Sequence, residues 1–234
     1  MIIPLFIISF NRLSVLKQCI ESYKKLGDRI QIIIHDNDST YQPLLDYYKD
    51  CGYTIYHNKS KGDMYDISLS VKKTIDKWYS ENRDLDAPYY IVTDPDIELE
   101  QPSPELLDYY IKVMQKHNPP CVGPMLRIDD IPDCFKFKET MVKSHNEQFW
   151  HRENQLFENV KIQRAGIDTT FALYRKNFSF NRLNYGMRVH EPYMARHLDW
   201  YQDSDNLNEE EQYYRDHASN VSTLSTYNKQ GFMG

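Results

Sequence analysis

The chain has 234 residues and a formal net charge of −6, which suits one α/β domain with a sizeable core and lacks the basic face of a general nucleic-acid binder. No apolar run is long enough to span a membrane, and residues 1–8 are too short and lack the basic start of a signal peptide, so the first strand is expected to open the mature chain. Cys19, Cys51, Cys121 and Cys134 form no Cys-x-x-Cys pair, which indicates neither a zinc site nor a disulfide framework and fits a reduced, cytoplasmic protein.

In chain order, residues 4–9 read as a buried strand. Residues 13–26 place Leu13, Leu16, Ile20 and Tyr23 at helical spacing, and Gly27 stops that helix. Residues 30–35 form a second β-like run ending at Asp36-Asn37-Asp38-Ser39-Thr40. A helix over 43–48, a strand over 53–57, a helix over 66–78 and a strand over 89–93 follow. This alternation predicts βαβ units and a mainly parallel sheet. Beyond it come a helix over 104–116, a strand over 121–125 and a segment 127–159 that mixes charges, aromatics and prolines without clear period. That segment reads as a functional excursion. A strand pattern returns at 169–174, and a helix over 208–217 precedes a tail expected to fray.

The 19 tyrosines, many in pairs such as Tyr89-Tyr90 and Tyr213-Tyr214, suit a core with hydrated phenol tips better than a sugar-lined surface. The stretch from Pro88 to Glu98 is more informative, because an apolar run ends in Asp94-Pro95-Asp96. Residues two apart in an extended chain project to one side, so both carboxylates can reach one hard divalent cation. Asp-x-Asp recurs at Asp36, Asp84 and Asp203, and only the copy at Asp94 ends such a run, where open α/β sheets place their ligand crevice. A solvated turn capped by Asp94 is the plain alternative.

If the sheet is parallel, three strand ends converge, bringing Ser9, Asn11 and Arg12 beside Asp36 and Asn37 and beside Asp94 and Asp96. Asp36 can accept from a nucleobase N–H, Asp94 from a ribose hydroxyl, and Asp96 can hold a metal that bridges two phosphates. No glycine-rich phosphate loop is present, so phosphate charge falls to the metal and to Arg12 or Lys61. That division suits a nucleotide-sugar donor better than ATP or NAD.

The blocks PLFIISFNR, IIIHDNDST and YYIVTDPDIELE resemble the GT-A fold of family-2-like glycosyltransferases. VGPMLRIDDIPD, AGIDTTFALYRK and EPYMARHLDWY are similar to a narrower group that includes bacterial surface-polysaccharide glycosyltransferases and the N-terminal domain of a chlorovirus glycosyltransferase. The resemblance covers most of residues 3–201. It implies one GT-A domain, with residues 1–100 as the nucleotide-binding half, 101–201 as the acceptor-side half and 202–234 as an extension. It further implies transfer from a nucleotide-diphosphate sugar, UDP-linked, to a glycan or lipid-linked acceptor. The metal, Mn²⁺ or Mg²⁺, would be held by Asp94 and Asp96, with His197 as a third ligand or else a side chain packed on Trp200, and His190 as its rival.

For a base, Asp168 in Gly166-Ile167-Asp168-Thr169-Thr170 is the first candidate, with Glu191 and Asp199 as alternatives; an Arg-paired Asp168 without a proton-transfer role is equally consistent. The Glu-Asp pair usual in inverting family-2 enzymes is not recognisable, which leaves inversion and retention both open. Asp129, Asp130, Glu147 and Trp150 are the acceptor-side candidates, carboxylates for hydroxyls and an indole for a pyranose face. A sugar-1-phosphate nucleotidyltransferase and a non-catalytic sugar-binding module on the same fold are the competing readings. A lipid-linked acceptor would bring the protein to a bilayer surface.

Overall fold

The computed structural model describes residues 1–59, 64–182 and 184–218. Strand and helix alternate through β1 (Ile3–Ser9), α1 (Ser14–Lys24), β2 (Ile30–Asn37), α2 (Gln42–Asp50), β3 (Thr54–Asn58), α3 (Met64–Glu81) and β4 (Tyr89–Thr93). The chain continues through β5 (Ile97–Leu99), α4 (Pro104–His117), β6 (Cys121–Pro124), α5 (Lys138–His145) and a π-helical turn (Asn146–Trp150). Then come β7 (Gln155–Phe157), β8 (Val160–Ile167), β9 (Ala172–Arg175), β10 (Asn184–Val189), β11 (Ala195–His197), a 3₁₀ turn (Leu198–Tyr201) and α6 (Glu209–His217).

Nine strands form one sheet in the order β3-β2-β1-β4-β9-β6-β10-β8-β7, while β11 and β5 pair separately. From the pairings, β3, β2, β1, β4, β6, β10 and β7 point one way, and β9 and β8 run against them. This is the α/β, mainly parallel mixed sheet that the alternating pattern predicts.

β1 is buried at all seven positions, as expected of a central strand covered on both faces. Its side chains alternate between two cores. Ile3, Leu5 and Ile7 pack with Leu16, Ile20 and Tyr23 of α1 and with α4; Phe6 and Ile8 pack with Ile67, Val71, Ile75 and Trp78 of α3. Each such fully buried side chain contributes roughly 1.5–3 kcal/mol relative to exposure. The termini follow local chemistry. Gly27 takes φ 82° just past α1, a conformation cheap only for glycine. At α6, Asn208 accepts from the Glu211 N–H at 2.9 Å while Glu211 accepts from the Asn208 N–H at 2.8 Å, a capping box.

The second half departs from the sequence reading. The aperiodic segment 127–159 contains α5, the π-helical turn and β7, and two long strands, β8 and β10, occupy stretches where no strand was expected. Lys161 and Arg164 alternate with buried Ile162, Gln163 and Ala165 in β8, so its apolar signal is diluted by charge. β10 carries Gly186, where an added Cβ would lie 2.3 Å from the Cys121 carbonyl oxygen; close approach of β6 requires the glycine that weakens the strand pattern. The strand expected at 169–174 begins only at Ala172. Thr169 and Thr170 belong to the preceding loop, and Phe171 sits at φ 44°.

Candidate functional site

Parallel register aligns Ser9 with Asp36 and Ile7 with Thr93, so the three expected strand ends do converge. Their side chains are mostly turned inward. The Tyr48 hydroxyl donates to Asp36 at 3.1 Å and shares a hydrogen bond with the Ser9 hydroxyl at 2.9 Å, and Asp36 also accepts from the Ser39 N–H at 3.2 Å. Asn11 Oδ1 accepts from the N–H groups of Thr40 and Tyr41 at 2.6 and 2.9 Å, tying the end of β1 to the loop before α2. Asn37 is half-buried, and its Oδ1 has no hydrogen-bond partner among the described residues.

α6 packs across this edge. Glu210 accepts from the Ser14 N–H at 2.9 Å at the start of α1, and the Tyr213 ring lies 5.0 Å from that of Tyr41. Lys61, the other expected phosphate cation, lies outside the described residues.

Arg12 departs from its expected role. It is 4 % exposed; one guanidinium nitrogen donates to Asp96 at 2.7 Å, a second donates to Asp199, and the Tyr214 ring covers it at 4.7 Å. A guanidinium committed to two buried carboxylates is not presented to a phosphate. Asp199, expected as an alternative base, is thereby placed beside Asp96.

Asp96, His197 and Asp199 each offer one ligand atom within 4.8 Å of the others. The pairing of β11 with β5 sets this up, because it places His197 opposite Ile97, one residue from Asp96. His197 Nδ1 lies 3.9 Å from Asp96 Oδ2, and its ring packs on Trp200 at 4.8 Å without turning that nitrogen away from the carboxylate. Among the described residues Asp96 Oδ1 and His197 Nδ1 are buried without a hydrogen-bond partner, an arrangement that costs free energy unless a ligand completes it. Burial alone would raise the Asp96 pKa, but His197 and Arg12 outweigh it and hold the carboxyl below its usual range. An ionised carboxylate and an available imidazole nitrogen suit a divalent cation that accepts oxygen and nitrogen ligands. His190 is engaged elsewhere: its Nε2 meets Gln163 Oε1 at 2.9 Å and its ring meets Trp150.

Asp94 stands beside this cluster. Its N–H donates to the Thr169 carbonyl at 2.8 Å, and its Oδ2 accepts from the Thr169 hydroxyl and from Arg182 at 3.1 Å. Burial pushes its pKa up to about 6 against the opposing charge of Arg182. Arg182 also donates to Asp168 at 2.7 Å, so Asp168 is an Arg-paired carboxylate, half-exposed at the lip. Asp94, Asp168, Arg182, His197 and Trp200 line one cavity of about 410 Å³, within the usual range for small-molecule sites.

The expected acceptor-side set lies away from the lining of that cavity. Arg127 donates to Glu191 at 2.7 Å and to Asp129 at 3.1 Å, and Arg196 holds Asp130 at 2.6 Å. These are exposed ion pairs. Glu147 is exposed, and Trp150 is half-buried, packed edge-on to His190. The lining comes instead from His145, Gln148 and Phe149 of the same excursion and from Arg188 of β10. Sequence reasoning missed these with Arg182. Both arginines fall in the stretch 177–190, between the blocks AGIDTTFALYRK and EPYMARHLDWY, where no motif singles them out.

Residues 5–180 match the family described as Glycosyl transferase family 2. The chain belongs to that family. Solved glycosyltransferases overlap it only in part. A mannosyltransferase from Pyrobaculum calidifontis in complex with GDP-Man and Mn²⁺ is 12 % identical over 55 % of this chain and 36 % of its own, with TM-score 0.41. Glucosyl-3-phosphoglycerate synthase from Mycobacterium tuberculosis, in complex with Mn²⁺, UDP and glucosyl-3-phosphoglycerate, is 10 % identical over 75 % and 57 %, with TM-score 0.43. The chain thus spans between about a third and three fifths of these structures. No curated protein matches the chain in sequence. Among the described residues no helix is long and apolar enough to cross a membrane.

Proposed function

We propose that this family 2 chain is a metal-dependent glycosyltransferase that moves a hexosyl or deoxyhexosyl group from a UDP-linked sugar to a glycan or lipid-linked acceptor. The observation that carries the reading is the trio Asp96, His197 and Asp199, with two ligand atoms left unpaired among the described residues, next to a cavity that His197, Asp94 and Asp168 line. A divalent cation held there, Mn²⁺ or Mg²⁺, would offset charge on the departing nucleotide diphosphate.

Asp94 accepts a donor hydroxyl, fixed in aim by Thr169 and Arg182. At the base end the open acceptor is Asn37, with Asp36 behind it anchoring the loop through Tyr48 and Ser39. Asp168 receives the acceptor hydroxyl at the cavity lip; where transfer inverts the anomeric centre, it also takes the hydroxyl proton as the new glycosidic bond forms and the anomeric carbon–diphosphate bond breaks. Arg182 keeps that carboxylate in place. Surface polysaccharide synthesis on the cytoplasmic side, at a bilayer bearing the lipid-linked acceptor, is the setting this reading favours.

The test is incubation with Mn²⁺ and a panel of nucleotide sugars, following nucleoside diphosphate release and donor binding. Release from one donor that is lost in Asp96→Asn supports the reading. Pyrophosphate formation from UTP and a sugar phosphate would replace it with a nucleotidyltransferase, and absence of any donor binding would sink both.

A further inference from the structure

One cation in the cavity has no counter-charge. Arg12 and Arg182 each meet two carboxylates, whereas Arg188, only 4 % exposed, donates to two carbonyls: Nε to Gly166 at 2.8 Å and Nη1 to Pro124 at 2.7 Å. Among the described residues no carboxylate pairs with it. A buried guanidinium held only by neutral dipoles is costly and is relieved by an anion. Burial pulls its pKa down, to about 10, and the negative charge of Asp168 only partly opposes this. Arg188 remains charged at neutral pH.

The position of Arg188 is as informative as its charge. From the metal-competent trio a continuous row of rings leads to it along the cavity. His197 stacks on Trp200 at 4.8 Å, Trp200 meets His145 at 4.6 Å, His145 meets Phe149 at 5.3 Å, and Arg188 lies over Phe149 at 4.7 Å. All five line the same cavity. Such a wall suits the apolar face of a pyranose, and the guanidinium stands at its far end from the expected diphosphate.

We infer that the cavity takes a saccharide bearing an anionic group, a carboxylate or phosphate, with its ring along the aromatic wall and its charge at Arg188. This rests on the glycosyltransferase reading and adds a substrate class to it. The anion belongs either to the acceptor or to the transferred sugar, and both present the same chemistry to the guanidinium.

The experiment measures equilibrium binding of matched pairs to the full chain. Methyl glucuronide is compared with methyl glucoside in the presence of UDP and Mn²⁺, glucose 6-phosphate with glucose, and UDP-glucuronate with UDP-glucose. The charged member of at least one pair is expected to bind about tenfold to hundredfold more tightly. Preference among the free sugars marks an acceptor anion; preference only between the UDP-sugars marks a donor anion. Arg188→Gln should abolish the preference and leave UDP–Mn²⁺ affinity unchanged, and Arg188→Lys should restore part of it.

Equal binding within all three pairs overturns the inference, as does a preference that survives in Arg188→Gln. A tenfold loss of UDP–Mn²⁺ affinity in that variant also overturns it, assigning Arg188 to the donor diphosphate. If Arg188→Gln does not fold, a crystal structure of the wild type with the preferred charged sugar decides, and a carboxylate or phosphate away from Arg188 refutes the proposal. Failure of the glycosyltransferase reading is distinct, because it appears as no UDP-sugar binding at all, whatever the glycosides do.

Discussion

The two halves of the sheet build their share of the cavity in different ways. On the β3-β2-β1-β4 side, polar residues follow directly from strand ends and are fixed by parallel register. On the β6-β10-β8 side, much of the lining comes from a helix, a π-helical turn and Arg188 of β10, which crossovers bring together with the end of β8. The first half concentrates buried carboxylates around the Arg12 guanidinium; the second presents an aromatic wall and, among the described residues, a cation with no carboxylate partner. A rigid, charge-balanced end suits a constant nucleotide and metal, whereas a wall with one charge suits the variable partner.

Breaking the balance on the first side carries the largest effect. Arg12→Met leaves Asp96 and Asp199 buried without their shared cation and is expected to lower stability by about 3–5 kcal/mol in denaturant titration. Asp96→Asn keeps the shape but weakens the proposed metal set; transfer should fall at least about a hundredfold, roughly 2.7 kcal/mol, with calorimetric Mn²⁺ affinity falling in parallel.

His35 sharpens the contrast through pH. It is fully buried, bonded to Thr74 at 2.8 Å, and burial pulls its pKa down to about 4. The unfolded chain binds this proton near pH 6.5 and the folded chain near 4, so stability falls as pH drops through that window. At pH 4.5 the loss attributable to His35 is about 2–3 kcal/mol relative to neutral pH, measured as the difference between wild type and His35→Gln. Smaller is the loss of the Glu210 carboxylate from the start of α1; Glu210→Gln should cost about 1 kcal/mol. Asp129→Ala, on the exposed network, should change stability by less than about 0.5 kcal/mol and leave donor binding unaltered. A large effect there would bring the surface carboxylates back into the site.

Legibility divides along the same line. Asp94 and Asp96 could be singled out among four Asp-x-Asp copies because their neighbours form a buried strand, and β4 holds the expected residues 89–93. Arg12 could be placed at that edge but not assigned a partner, because Asp199 lies 187 positions away along the chain. Trp150 and Phe149 are adjacent aromatics in one irregular turn, and nothing local tells which faces the cavity. The π-helical turn rotates Phe149 onto Arg188 and directs Trp150 at His190.

The sequence by itself determined the alternating elements of the first half, the order of the strand-end carboxylates and the family, since these depend on periodicity and short-range chemistry. Tertiary structure alone decided which charges neutralise one another and which does not. Asp96 acquires His197 through the β5–β11 pairing, and Arg188 meets no carboxylate among the described residues because the sheet buries it among carbonyls and a phenyl ring. Electrostatic roles depend on distances of a few ångströms between residues far apart in the chain, and folding sets those distances.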